Sequence, residues 1–221
     1  MIPPRLKRFY HRRRLNDPEF AFLFEPGPED ELVCFDCETT GLNPSRDDII
    51  SIGAVKIRGD RILASERFQR IVRPKAAMSA DAIKVHRLRA ADVAYGEGVE
   101  TVIPDFLRFV GGRPLVGYYL QFDVAMVNKY LKPMKHIKLP NPMIEVSEQY
   151  YERKYGDAPA GSHIDLSFAA ILKDLGIPPL DAHDAFNDAM MTAMMYLALR
   201  DLKARGVRIA RQTHVSPGYG G

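Results

Sequence analysis

A chain of 221 residues with 46% hydrophobic and 27% charged residues has room for one α/β domain of ordinary size with a real core. Its longest apolar runs fall short of a bilayer's width and no apolar segment follows Arg12-Arg13-Arg14, so neither a membrane span nor a secretory leader is expected, and a cytoplasmic location is. The formal charge of +3 is uneven: Arg5, Lys7, Arg8, Arg12, Arg13 and Arg14 fall in the first 14 residues with no acid, which leaves 25 of the 31 basic residues against 28 acidic ones.

Residues 1–30 read as a basic arm whose start suits nucleic-acid phosphates, an acidic partner or plain solvent. Phe20, Phe22 and Phe24 alternate, which lets them pack on the body or on another protein. Glu25-Pro26-Gly27-Pro28 breaks the pattern and marks the expected start of the domain proper, over 31–205, with a tail at 206–221.

The apolar run Leu32-Val33-Cys34 leads into Phe35-Asp36-Cys37-Glu38-Thr39-Thr40-Gly41-Leu42 and the turn-prone Asn43-Pro44-Ser45, a strand with its end. Strand side chains alternate, so Asp36 and Glu38 project to one side, one pleat apart. Two adjacent carboxylates in a buried sheet repel each other unless a cation joins them; at an exposed strand end both are simply solvated. The pair is therefore either a metal site or a solvated edge. Cys34 and Cys37, spaced C-x-x-C, fall on opposite faces, which argues against a disulfide, and no second Cys pair completes a zinc site.

The β-branched stretch from Ile49 to Ile57 turns at Arg58-Gly59-Asp60 into a third strand from Arg61 to Val72, giving an antiparallel meander. Short helical turns are expected over 79–94 and a helix over 97–110, ended by Gly111-Gly112. Pro114 to Tyr119 reads as a short buried strand, Phe122 to Leu131 as an amphipathic helix, and 133–142 as a proline-punctuated connection. Ile144 to Tyr155 is expected to be helical, Ser162-His163-Ile164-Asp165 to cap a helix that closes at Gly176, and Asp184 to Arg205 to form the last helix. The order of elements implies an α/β fold with a mixed sheet, an antiparallel meander followed by parallel strands, flanked by helices.

Acids recur at two further places. Asp123 stands where a strand passes into a helix, the sheet edge that ligands favour, though a first-turn Asp also suits the helix dipole. Asp188 lies one turn into an otherwise apolar helix and wants a partner; His183, five residues earlier, is placed either to reach the same pocket or to sit in a loop or cap.

Taken together, Asp36-x-Glu38 followed by Thr-Thr-Gly-Leu, then Phe122-Asp123, then His183-x4-Asp188, resemble the DEDD superfamily of 3′–5′ exonucleases, in its DEDDh, DnaQ-like (proofreading epsilon) branch. Ile49 to Val55, Val85-His86, Leu115-Val116-Gly117 and Ser162-His163-x-Asp165-Leu166 support the likeness, which runs from about residue 32 to 202. The resemblance implies a ribonuclease H-like sheet of five strands and two divalent ions, Mg²⁺ or Mn²⁺, held by Asp36, Glu38, Asp123 and Asp188, with His183 as general base. It implies a seat for the terminal nucleotide at Thr39, Thr40, Gly41 and Leu42, with His86 and Phe122 as further contacts. DNA 3′ ends are the implied substrate, with RNA as the alternative and a non-catalytic nucleic-acid-binding module as the remaining one. A polymerase, or another protein docked on the N-terminal arm, is the implied partner. The chain departs from the family at Tyr118-Tyr119, where a His-Asn pair is usual, and at Glu145, where Asp is common.

Overall fold

In the computed structural model, residues 10–75, 88, 90–181 and 184–211 are described. Strands β1 (Glu31–Thr39), β2 (Ile49–Arg58) and β3 (Arg61–Ile71) form the meander. Helix α1 (Val99–Val110), β4 (Leu115–Gly117), α2 (Leu120–Lys135) and β5 (Met143–Glu145) follow. Then come α3 (Val146–Lys154), α4 (Phe168–Asp174) and α5 (Ala185–Ala204). The sheet order is β3-β2-β1-β4-β5; β1 to β3 pair antiparallel and β1, β4 and β5 parallel, the expected mixed five-stranded arrangement.

The sheet divides the core into two layers. Val33, Phe35 and Cys37 of β1 face Phe106 and Leu107 of α1 and Met126 and Val127 of α2. Cys34 faces the other way, toward Val146 and Tyr150 of α3, Ile171 of α4 and Met191, Met195 and Tyr196 of α5. The two cysteines are thus free and buried on opposite sides, as alternation requires, and burial pushes both thiols up. Central β2 is apolar on both faces, with Ile49, Ile50, Ile52, Ala54, Val55 and Ile57 fully buried. Edge strand β3 buries only Phe68 and exposes Glu66, Arg67, Gln69 and Arg70, charges that discourage pairing with another sheet.

Several boundaries differ from expectation. The aromatic part of the arm is core: Pro18–Phe24 forms a 3-10 helix capped by Asp17, and Phe20, Leu23 and Phe24 are buried against the α1/α2 layer. The packed unit therefore starts well before the Pro-Gly-Pro break, because threefold spacing in a 3-10 turn puts positions 20 and 23 on one side. Helix α2 continues past Pro133 to Lys135, which pairs with Asp17. Residues 143–145, expected to open a helix, instead form β5, a strand too short to show any period. The cap of α4 is Ser167, not Ser162; its hydroxyl accepts from Ala170 N, and the Asp165 carboxylate takes Ser167 N at 2.9 Å. Beyond α5 the chain does not leave the body at once: Ile209 N donates to Arg153 O, and Arg208 and Arg211 pair with Asp157. No helix among the described residues is long and apolar enough to cross a membrane.

Candidate active site

Asp36 and Glu38 lie near the C-terminal end of the central strand β1, on the α5 side of the sheet. Cys34, two residues earlier on the same face, is sealed in the core, so the alternation that buries Cys34 delivers the two acids to one surface. A register shift between Glu38 and Thr39 ends the regular pairing with β2 there.

Helix α5 brings the third acid. Asp184 caps it, its Oδ1 accepting from Phe186 N and Asn187 N at 3.0 Å each, and Asp188 follows one turn later with its N–H on Asp184 O. The helix can lie this low because the residue beneath it is Gly53, paired across the sheet with Asp36 on one side and Gln69 on the other. A β-carbon on Gly53 would stand 2.1 Å from Phe186 N and 2.2 Å from Ala185 C. Gln69 Nε2 also approaches Asp184 Oδ2 at 3.4 Å. Asp36, Glu38 and Asp188 consequently each offer a carboxylate oxygen, all within 4.8 Å of one another.

Asp123 stands next to this trio rather than in it. It is buried in the first turn of α2, and its Oδ1 accepts from Cys37 N at 3.1 Å. Strand β4 ends at Gly117, short of Cys37, so the carboxylate takes a β1 N–H that no strand reaches.

The electrostatics are those of acids crowded out of water. Burial, and then the carboxylates of Asp188 and Asp184, push Glu38 up to about 7. Burial followed by Asp123, Glu38, Asp188 and Asp184 drives Asp36 well above the usual carboxylate range. Asp123 is also raised by burial, against the N–H of Cys37 and its own N–H, which favour its charge. An all-oxygen donor set of this kind suits a hard divalent cation, and a cation reverses the penalty that each ionised carboxylate imposes on the next.

The expected nucleotide seat forms the rim. Thr39 and Thr40 are buried, Gly41 and Phe122 half-buried, and Leu42 is 86% exposed. The Thr hydroxyls serve the loop itself: Thr39 Oγ1 donates to Gly41 O at 2.7 Å, and Thr40 Oγ1 accepts from Asp48 N at 2.9 Å. Buried Asp48 is the hub of that loop, accepting from Lys129 Nζ at 2.7 Å, Tyr130 Oη at 2.8 Å and Lys75 N at 2.9 Å. It ties the rim to α2, the helix that carries Asp123. His86 and His183 lie outside the described residues.

Sequence reasoning missed Asp48, Gly53 and Glu145. Gly53 carried a signal, a glycine inside a β-branched strand, which marks a close backbone approach. Glu145, given no role from sequence, accepts from Tyr119 N, Leu120 N and Ser147 N and so pins the start of α2 to β5.

A family model described as "RNase_T: Exonuclease" matches residues 33–196, which contain all four acids and the rim. The chain belongs to this exonuclease family. Among curated relatives, a DNA polymerase III subunit epsilon of Aquifex aeolicus is 26% identical over 173 residues, covering 76% of this chain and 79% of the relative. A DNA polymerase III PolC-type of Thermotoga maritima is 29% identical over 169 residues; the match takes in 75% of this chain but only 12% of that much longer protein. The fold is shared with E. coli Exonuclease I, solved in complex with a dT13 oligonucleotide, at a TM-score of 0.64 and 16% identity, over 80% of this chain and 42% of that one. It is shared as well with cell-death related nuclease 4, at a TM-score of 0.63 and 15% identity.

Proposed function

We propose that this chain is a metal-dependent 3′–5′ exonuclease that releases nucleoside monophosphates from DNA 3′ ends, single-stranded or mismatched. The observation that carries the reading is the meeting of Asp36, Glu38 and Asp188, from a central strand and a separate helix, with Asp123 alongside. A solvated strand edge would not bring a third carboxylate down from a helix whose seat requires a glycine in the neighbouring strand. A binding module without chemistry would have no use for four carboxylates in this place.

In this reading Asp36, Glu38 and Asp188 hold one divalent ion, Mg²⁺ or Mn²⁺, and Asp36 shares a second with Asp123. Bound ions there supply an activated water and stabilise the charge on the departing 3′ oxygen. The chain's own groups do the rest. His183 accepts the proton of the attacking water, since an imidazole titrating near neutrality suits that transfer. Leu42 and Phe122 flank the terminal base, while the Asp48 network holds the Thr39–Gly41 backbone at a fixed distance from the acids. The Cys37 N–H holds the Asp123 carboxylate in one orientation.

The epsilon and PolC-type relatives favour DNA and work beside a polymerase, and a polymerase partner and a cytoplasmic setting are proposed on that basis. The test is incubation of purified protein with 3′-labelled single-stranded DNA, mismatched duplex and RNA in Mg²⁺, Mn²⁺ or EDTA. Mononucleotide release from DNA that stops in EDTA is the expected result. Faster release from RNA would instead assign an exoribonuclease, and no product on any substrate would overturn the catalytic reading.

A further inference from the structure

Next to the proposed carboxylate site lies a cavity of about 600 Å³ whose lining includes Leu42, Tyr119, Phe122, Glu145 and Glu148. Leu42 and Phe122 belong to the rim already described, so the cavity continues directly from the terminal-nucleotide seat. Tyr119 forms its far side and is unusual twice over. Its backbone is left-handed, at φ +52° and ψ +35°, a conformation disfavoured for any residue with a β-carbon. Its ring is nevertheless 59% exposed, so burial does little to offset that strain.

The ring is also fixed in place. The Glu145 carboxylate accepts from Tyr119 N at 3.0 Å and from Leu120 N at 2.9 Å. Behind it the Tyr118 ring lies 4.5 Å away, centre to centre, and is itself anchored through its hydroxyl to Leu166 O and edge-on to Phe168. A strained, exposed and buttressed aromatic beside a reaction centre has the form of a platform for something flat. The charge of the lining narrows the choice: it includes two carboxylates, Glu145 and Glu148, and no Lys or Arg, which repels phosphate and admits an uncharged ring.

We propose that this cavity is a second base subsite, in which the base next to the terminal nucleotide stacks on Tyr119. The proposal rests on the exonuclease reading and deepens it: a base free to stack here is one not paired in a duplex, so the subsite selects unpaired 3′ ends.

The test compares wild-type protein with Tyr119→Asn and Tyr119→Phe on two substrates in Mn²⁺. One is the p-nitrophenyl ester of thymidine 5′-phosphate, which fills the terminal seat alone; the other is a 3′-labelled single-stranded oligodeoxynucleotide. In Tyr119→Asn the ratio of kcat/KM, oligonucleotide over ester, is expected to fall about tenfold, whereas Tyr119→Phe keeps it. Asn tolerates the left-handed backbone, so this variant should melt at or above the wild-type temperature. Should it melt early, Tyr119→Leu, which keeps bulk without a π face, must show the same fall. An unmoved ratio in a folded variant overturns the subsite alone. Wild-type protein inert on both substrates overturns the exonuclease reading and the subsite with it.

Discussion

Replacing Gly53 with alanine adds one methyl group to the strand that neighbours Asp36 and leaves every acid in the sequence. The new β-carbon would sit 2.1 Å from Phe186 N, 2.2 Å from Ala185 C and 2.4 Å from Ala185 O, all backbone atoms that no rotamer change can remove. Ordinary contact starts at 3.4 Å, so the first turn of α5 must retreat by about 1.3 Å, the difference between the two distances, or β2 must bow away from it. Overpacking of this kind typically costs about 1–3 kcal/mol of stability. The functional loss should be larger than stability alone explains, because Asp188 moves with the turn and a misplacement of about 1 Å can cost a hundredfold in rate. The assay is the rate of 3′ nucleotide release against Mn²⁺ concentration, with a melt in EDTA alongside. Ile57→Ala serves as the control: it is fully buried further along the same strand, costs about 2–5 kcal/mol and leaves the α5 seat untouched. Gly53→Ala should show a reduced rate and a raised Mn²⁺ requirement, and Ile57→Ala only a lower melting temperature. A Gly53→Ala protein with wild-type rate and Mn²⁺ requirement would refute the idea that this glycine sets the position of Asp188.

Asp36→Asn should abolish nucleotide release yet melt higher than wild type in EDTA, since it removes one charge from a crowd of buried carboxylates; a lower melting temperature would count against that repulsion. His183→Ala is expected to lower the rate by roughly two to four powers of ten, and an unchanged pH–rate profile would remove it from the mechanism. Burial pushes Glu31 up, but its bonds to Arg113 and Arg58, at 2.6 Å each, outweigh this and hold it below its ordinary value of 4.5. Its stabilising effect is therefore complete above that pH and lost as pH falls through its folded value; Glu31→Gln should cost about 1.5–3 kcal/mol near neutrality and flatten acid unfolding, read by urea melts across pH. Removing residues 1–14 should weaken oligonucleotide binding and reduce its dependence on salt concentration, and an identical salt slope would reject contact between that segment and phosphates.

The parts of the molecule that were legible in the sequence are those written in strong periods. Alternation in β1 placed Asp36 and Glu38 together and the two cysteines apart, and the long apolar pattern of α5 gave its cap at Asp184 and its end near Arg205. Elements of three residues have no period to read, which is why β5 was hidden inside an expected helix. The 3-10 turn over Pro18–Phe24 imitated strand alternation in its phenylalanines and looked like an arm. At the site, residue types revealed the acids because carboxylates in apolar surroundings demand explanation. What positions them was silent: Asp48 works through contacts 27 to 82 residues away in the chain, and no local pattern records such distances.

The division of the core into two layers has a consequence for the newly made chain. Asp36 and Glu38 ride on the sheet, Asp123 arrives with the helical layer on one side, and Asp188 arrives with the layer on the other. A molecule with either layer undocked lacks one of the four carboxylates. The cutting edge is thus the last thing folding completes, a safety catch that keeps a half-made nuclease blunt among the cell's own nucleic acids.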